Sequence, residues 1–560
     1  MSKYNVKREP VVKETATHEG GQGFTQRPEA ELVGILSTGI QNTFYEKESE
    51  RETRLKALVD KLSKTNKLFV AKALVYARSV FGQRTVTHLG AVDLLPHLSG
   101  DELGKRFFTK RDRKANRGGI VYRLDDMAEI LACYMAKNKI KDEDKWTMPR
   151  AMKLGFKAAI EDADTYELAK YQLKGNAVSL VDIVNLVHPV PSKRNGTIKV
   201  SLDEFKKAVA GTKFEKEYDF SQLKADETVM EIPALRALVL GILKQFNTVE
   251  DKNTEAGQEV AELVKSGEVT KEEAEKLLVE KKTENYEELI KTKKIGYLAL
   301  LRNLRNIIKT DNSELLDKAC ELLVNKDFIR KSLVWPHQID LCNEVLQSEF
   351  RPTQLGKVLI ALNTAYERSI PNLKELMPER KTAVVYDSSG SMSTQISLEE
   401  HKRGIASALD KAALIGATFA KGLNADVYTF ANSCRMCTFN PTDSVNTIKK
   451  SILSSAMHGG TVWGTIFPEL LRQGGYERII IISDEQSHDN ALNSYKEYCN
   501  KYGTPYLYIV NICGYGPTVN IKENDKTYRL FGYTQDIYMK ATTAEINIDQ
   551  VIEQINKIEI

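Results

Sequence analysis

The chain has 560 residues, 42% of them hydrophobic and 28% charged, and a net charge of +4. That length predicts two to four domains with ample apolar content for their cores, and the small net charge selects no partner by itself. With no run of eighteen apolar residues, no apolar signal region at Met1-Ser2-Lys3-Tyr4-Asn5 and seven scattered cysteines, the composition predicts a soluble, cytoplasmic chain with no membrane partner.

Residues 1–28 are polar and aperiodic, with Gly20-Gly21-Gln22-Gly23, and predict a flexible arm. From residue 29 to 370 apolar residues recur at three-to-four spacing, as in Leu55-Leu58-Val59-Leu62, which predicts amphipathic helices. Further helices are expected near Ala91–Leu98, Asp125–Asn138, Pro149–Asp162, Thr165–Leu173, Leu180–His188, Asp203–Ala210, Ala234–Phe246, Ala256–Lys281 and Tyr286–Lys291. The series continues through Gly296–Thr310, Asn312–Asn325, Gln338–Gln347 and Thr353–Ile370. Helix density without a credible strand run predicts an α-solenoid of HEAT-like paired helices. The Glu/Lys-rich stretch Thr254–Lys293 reads as a solvated helical excursion, and residues 371–381 as a linker.

Residues 382–560 alternate between short apolar runs and helical patterns: strands at Thr382–Tyr386, Ala425–Phe430, Ile479–Ile482 and Leu507–Ile512, helices at Lys402–Leu423, Ser444–Leu453, Asn490–Tyr502 and Ile548–Ile558. This alternation predicts a doubly wound, mostly parallel α/β domain. Ligands of such sheets lie beyond the carboxyl ends of the strands. There the first strand is followed by Asp387-Ser388-Ser389-Gly390-Ser391, and Ile479–Ile482 by Ser483-Asp484-Glu485. Asp387, Ser389 and Ser391 supply three hard oxygens from one loop, and Thr461 and Asp484 add two more. Such a set suits a divalent cation, Mg²⁺ above others, with a position left open. The lone C-x-x-C of Cys434 and Cys437 lacks the second pair that a zinc site needs.

Two basic clusters mark the helical region. Lys105, Arg106, Lys110, Arg111, Arg113, Lys114, Arg117 and Arg123 stand against the single acid Asp112, interleaved with Phe107, Phe108 and Tyr122. Cations beside aromatics suit phosphates with stacked bases. Arg150, Lys153 and Lys157 follow at three-to-four spacing on one helical face, and then come Lys170, Tyr171, Lys174 and His188.

The order D-x-S-x-S, Thr, strand-Asp over roughly residues 380–560 resembles the metal-ion-dependent adhesion site of von Willebrand factor A domains. Upstream, Tyr76-Ala77-Arg78, Pro149-Arg150 with Lys153 and Gly155, and Leu168-Ala169-Lys170-Tyr171 resemble the TROVE module of the Ro autoantigen family. So do Ser179-Leu180-Val181-Asp182 with His188-Pro189, and Leu300-Leu301-Arg302-Asn303-Leu304. The resemblance implies a ring of helical repeats closed by the A domain. It implies small structured Y-like RNA on an outer basic surface, single-stranded 3′ ends of misfolded RNA in the hole, and work in RNA quality control beside an exoribonuclease. By position, its RNA-contacting region is Arg150 through His188, with Leu180 where the vertebrate motif has His.

The chain is therefore expected to be a monomeric, non-enzymatic ribonucleoprotein component whose cation site takes an acidic protein ligand or a structural ion. A two-metal nuclease needs more carboxylates than Asp387, Asp484 and the adjacent Glu485 provide. The competing expectation is a protein-adhesion scaffold without RNA, which has no need of the basic surface.

Overall fold

The computed structural model describes residues 14–40, 42–112, 114–140, 146–172, 177–218, 220, 228–243, 260, 263–264, 269–291, 295–332, 334, 336–370, 379–394, 407–522, 526–532 and 548–560. In chain order the strands are β1 (Glu14–Ala16), β2 (Gln22–Thr25), β3 (Arg111–Asp112), β4 (Arg117–Gly118), β5 (Thr197–Ser201), β6 (Val229–Pro233), β7 (Thr382–Asp387), β8 (Asp426–Phe430), β9 (Cys434–Met436), β10 (Arg478–Ser483), β11 (Tyr506–Asn511), β12 (Pro517–Val519) and β13 (Thr527–Phe531). The chain divides into two compact units, one of residues 1–55 and 252–554, the other of residues 56–251 and 555–560. The helical stretch 29–370 expected as one module is thus shared between both.

The larger unit is built on a six-stranded sheet of order β13-β11-β10-β7-β8-β9. All neighbours run parallel except β9, which is antiparallel to β8. The runs Thr382–Asp387 and Arg478–Ser483 are buried at every residue, as expected of central parallel strands covered on both faces. Helices Ala408–Leu423, Val445–Leu453, Ile466–Arg472 and Ala491–Tyr502 join or flank the strands. One face of the sheet buries Trp463, Phe467, Tyr495 and Tyr498 against Ile479, Ile481 and Leu507. Chain order moves outward to β8 on one side of β7 and through β10, β11 and β13 on the other. The β7–β10 boundary is therefore where the winding reverses, the usual place for a ligand.

Also in this unit, helices Tyr297–Lys309, Ser313–Leu323, Lys326–Ser332, Pro336–Glu349 and Pro352–Ser369 follow one another. Lys449 reaches Asp340 and Glu344 at 3.2 and 3.1 Å, so buried ion pairs tie this helical stack to the helix after β9. The Lys271–Lys291 helix is not the solvated excursion expected from its charge. Tyr286, Leu289 and Ile290 are buried, and the Tyr286 hydroxyl donates to Asn303 Oδ1 at 2.9 Å.

The expected flexible arm is also corrected over residues 14–25. β1 and β2 form a hairpin that adds to β12 as a three-stranded antiparallel sheet; residues 1–13 of that arm lie outside the described residues, as do 371–378 of the expected linker. Gly23 is required there, because a Cβ would stand 2.4 Å from the Thr518 carbonyl oxygen.

In the smaller unit the helices are Thr85–Leu94, Glu102–Phe107, Asp125–Lys137, Arg150–Glu161, Thr165–Lys170, Leu180–Val187, Leu202–Val209 and Ala234–Val239. It is not wholly helical: β3 pairs with β4 and β5 with β6, both antiparallel. A buried charge network holds its first helices. Asp126 accepts Arg78 Nε and Nη2 at 3.0 and 2.9 Å, His88 Nε2 lies 3.2 Å away, and the backbone N–H groups of Tyr122 and Arg123 donate at 2.9 Å. No described helix is long and apolar enough to cross a membrane.

Candidate cation site and candidate nucleic-acid surface

The loop after β7 folds back into a short 3-10 turn, Gly390–Ser393. Asp387 Oδ1 accepts the Ser389 N–H at 2.8 Å and Oδ2 accepts the Ser483 hydroxyl at 2.6 Å. The Ser389 and Ser391 hydroxyls lie 3.2 Å apart. Gly390 N donates to the Gly459 carbonyl at 2.9 Å, which fastens this loop to the one carrying Thr461. From β10, Asp484 Oδ1 accepts the Gln486 N–H at 3.0 Å. All five residues expected from the sequence therefore converge beyond the C-terminal ends of the two central strands, and all are buried.

The electrostatics of this cluster are unbalanced. Burial pushes the carboxyl pKa values of Asp387 and Asp484 up, and the Asp387 charge raises Asp484 further. Neither has a basic partner among the described residues, whereas neighbouring Glu485 pairs with Arg529 Nε at 2.8 Å. Thr461 Oγ1 and Asp484 Oδ2 are buried without a well-formed hydrogen bond, although the Ser391 hydroxyl is near enough to act on Asp484. Buried polar atoms without partners call for an explanation. A hard cation drawing on two carboxylates and three hydroxyls supplies one. Among the described residues no group of three or more His, Cys, Asp or Glu makes a softer site. Cys434 and Cys437 are buried with thiols pushed up by that burial, unlike reactive thiolates.

The basic residues separate into two kinds. Arg111 is buried, and its guanidinium donates to the carbonyls of Gly118 at 2.7 Å, Glu559 at 2.8 Å and Asn116 at 2.6 Å. It closes the β3–β4 turn, and its one remaining donor, Nε, is buried out of reach of a phosphate. Arg123 is engaged by Asp125 at 3.0 and 2.5 Å. Phe107 and Phe108 are fully buried, and Phe108 packs edge-on against Phe156, so they form core rather than a stacking platform. Lys114 and Arg117 remain exposed; Arg113 and Lys174 lie outside the described residues.

The Arg150–Glu161 helix starts after Pro149, buries Met152, Gly155, Phe156, Ala159 and Ile160, and turns Arg150, Lys153 and Lys157 outward. Gly155 lets it approach its neighbour, since a Cβ would stand 2.4 Å from Phe108 Cβ. Arg150 is exposed, Lys153 partly so, and Lys157 is 3.9 Å from Glu161. Arg150 also lines a cleft of about 670 Å³ with Lys56, Lys105, Lys137 and four acids, Asp60, Asp93, Asp101 and Glu102. Those charges balance, so the cleft itself is no phosphate trap.

Lys170 is exposed, with Nζ 5.5 Å from the ring centroids of both Tyr166 and Tyr171, and Arg123 is 5.9 Å from Tyr171. Tyr166, 45% exposed, escaped the sequence reading, although its i,i+4 relation to Lys170 was a usable signal. Ser179 and Asp182 form a reciprocal capping box, and Leu180 is core. His188 is exposed and ends the helix in the left-handed region at φ 50°.

A family model of the TROVE domain matches residues 31–416. No curated protein matches the chain. Among solved structures, the crystal structure of the Deinococcus radiodurans RO (RSR) protein is similar in fold, with a TM-score of 0.51 at 16% identity, covering 92% of this chain and 99% of that one.

Proposed function

The chain belongs to the TROVE domain family, and from that premise we propose that it is an RNA-binding protein of the Ro type. Its ligands are small structured, Y-like RNA and single-stranded 3′ ends of misfolded RNA, and it acts in RNA quality control as a ribonucleoprotein, with an exoribonuclease as its partner. The observation that carries this reading is the outward face of the Arg150–Glu161 helix, where Arg150 and Lys153 have no acidic partner among the described residues. Cations left unpaired over an apolar helix face are what phosphate contacts require. Lys170 with Tyr166 and Tyr171 adds a place where a base can stack beside a phosphate.

The site beyond β7 and β10 is that of a von Willebrand factor A domain, with Asp387, Ser389, Ser391, Thr461 and Asp484 holding Mg²⁺. The ion neutralises the two buried carboxylates and leaves a position for an acidic protein side chain. A labelled hairpin RNA with a single-stranded 3′ tail tests the RNA reading. Binding should weaken steeply with salt and weaken again when the tail is removed. Salt-independent binding, or none, would favour the adhesion scaffold.

A further inference from the structure

The hairpin of β1 and β2 docks on the segment that follows Asp484. Thr17 Oγ1 donates to the Ser487 carbonyl at 2.6 Å, Gly21 N donates to the same carbonyl at 3.1 Å, and His18 N donates to Gln486 Oε1 at 2.9 Å. Asn490 Nδ2 donates to Gln22 Oε1 at 2.6 Å. The fit is close: a Cβ on Gly21 would stand 2.1 Å from the Ser487 carbonyl oxygen. The hairpin's turn presents one acid, Glu19, whose side chain is 20% exposed.

Two groups hold that carboxylate. His488 Nε2 is 2.6 Å from Oε2, and the Tyr45 hydroxyl donates to Oε1. His488 is itself part of the wall of the cation site. Its backbone N–H donates to the Thr461 carbonyl at 2.8 Å, and its Nε2 would stand 2.7 Å from a Cβ on Gly460. Through His488 the Glu19 carboxylate is held against the Gly460-Thr461 loop and the segment that follows Asp484. A third carboxylate brought to two uncompensated buried ones costs energy unless a cation joins them. Thr461 Oγ1 and Asp484 Oδ2, buried and unpartnered, are the oxygens such a cation would draw on.

We propose that Glu19 is the site's own acidic ligand, a carboxylate that the N-terminal hairpin holds where an acidic partner side chain would otherwise complete the coordination. The inference rests on the cation site proposed above. It makes the hairpin an autoinhibitory cover: a partner carboxylate binds only when the Thr17–Gly21 turn lifts from Ser487.

The experiment uses the full chain with Mn²⁺ as the probe, followed by its electron paramagnetic resonance, with acetate as a minimal carboxylate. Wild type should bind Mn²⁺ and show no response to acetate, and Asp387→Ala should bind none. Glu19→Gln keeps the shape and removes the charge; it should weaken Mn²⁺ binding by about tenfold or more, the usual effect of losing a ligand or its support. Acetate should then restore affinity and alter the Mn²⁺ spectrum. Unchanged Mn²⁺ affinity in Glu19→Gln, with no response to acetate, overturns the assignment of Glu19 while leaving the cation site standing. Absence of Mn²⁺ binding in wild type overturns both.

Discussion

Neutralising the outer face of the Arg150–Glu161 helix isolates the electrostatic part of RNA binding. In the triple variant Arg150→Gln, Lys153→Gln, Lys157→Gln, three phosphate contacts are removed without touching Met152, Phe156 or Ile160 on the buried face. Each contact on a single strand contributes about 0.7 to the slope of log affinity against log salt. Three contacts contribute about 2.1, and about 1.4 if the Glu161 carboxylate 3.9 Å from Lys157 already neutralises that residue. Between about 50 and about 200 mM salt, wild type should then lose roughly 7- to 18-fold more affinity than the variant. Stability should barely change, because exposed substitutions of this kind stay within about 0.5 kcal/mol. Arg150 stands in the first helical turn, where the positive end of the helix opposes its charge, so its removal costs nothing there. The assay is fluorescence anisotropy of a labelled single-stranded RNA across the salt range, with the thermal midpoint measured in parallel. An unchanged slope in a normally folded variant would remove this face from the RNA site.

Three further outcomes follow from side-chain environments. Asp484→Asn removes one of two buried like charges and should raise the melting transition of the metal-free protein while abolishing its rise on adding Mg²⁺. For wild type that rise corresponds to about 2.7 kcal/mol at a hundredfold excess over the dissociation constant; a variant that still responds to Mg²⁺ would refute the ligand assignment. Arg111→Ala should destabilise the fold by about 2 kcal/mol or more, since it strips a buried guanidinium from the carbonyls of Gly118, Glu559 and Asn116. RNA affinity of the folded fraction should stay unchanged, and weakened binding without destabilisation would contradict this role.

The third outcome concerns pH. Burial opposes charge on His88, but hydrogen bonds to Asp126 and Glu129 outweigh it and raise its pKa above 6.5. Its contribution is therefore complete below 6.5 and lost as pH rises through the raised folded value. Burial alone would raise Asp126, yet His88 and Arg78 hold it well below 3.8. That contribution is present above 3.8 and lost as pH falls through the depressed value. The melting transition should decline as pH rises above neutrality, and His88→Gln should flatten that decline; an identical profile in the variant would refute the account.

The sequence patterns were most legible where short-range rules decide structure. β7 and β10 are unbroken apolar runs ended by acids, so Thr382–Tyr386 and Ile479–Ile482 foretold both strands to within a residue and placed the site residues at their ends. The Arg150–Glu161 helix was equally plain from its three-to-four pattern. β1, β2 and β12 were not, because Glu14–Ala16 and Gln22–Thr25 carry no periodicity, and Gln22–Thr25 pairs with Pro517–Val519 from the other end of the chain. Glu19 was missed for the same reason. The Lys105–Arg123 charge run illustrates a different limit: composition cannot tell Arg111, sealed by carbonyls, from Arg117, which faces solvent. Phe107, on the apolar side of its helix, and Phe108, just past the end of that helix, both enter the core, and the pattern of charges around them carried no information about burial.

RNA copurification tests the central claim most directly. The intact protein is isolated from its own cells at low salt, and bound nucleic acid is extracted and sequenced. A discrete small structured RNA, retained at low salt and released at high salt, is the predicted result. Folded protein that carries no RNA at low salt would contradict the account.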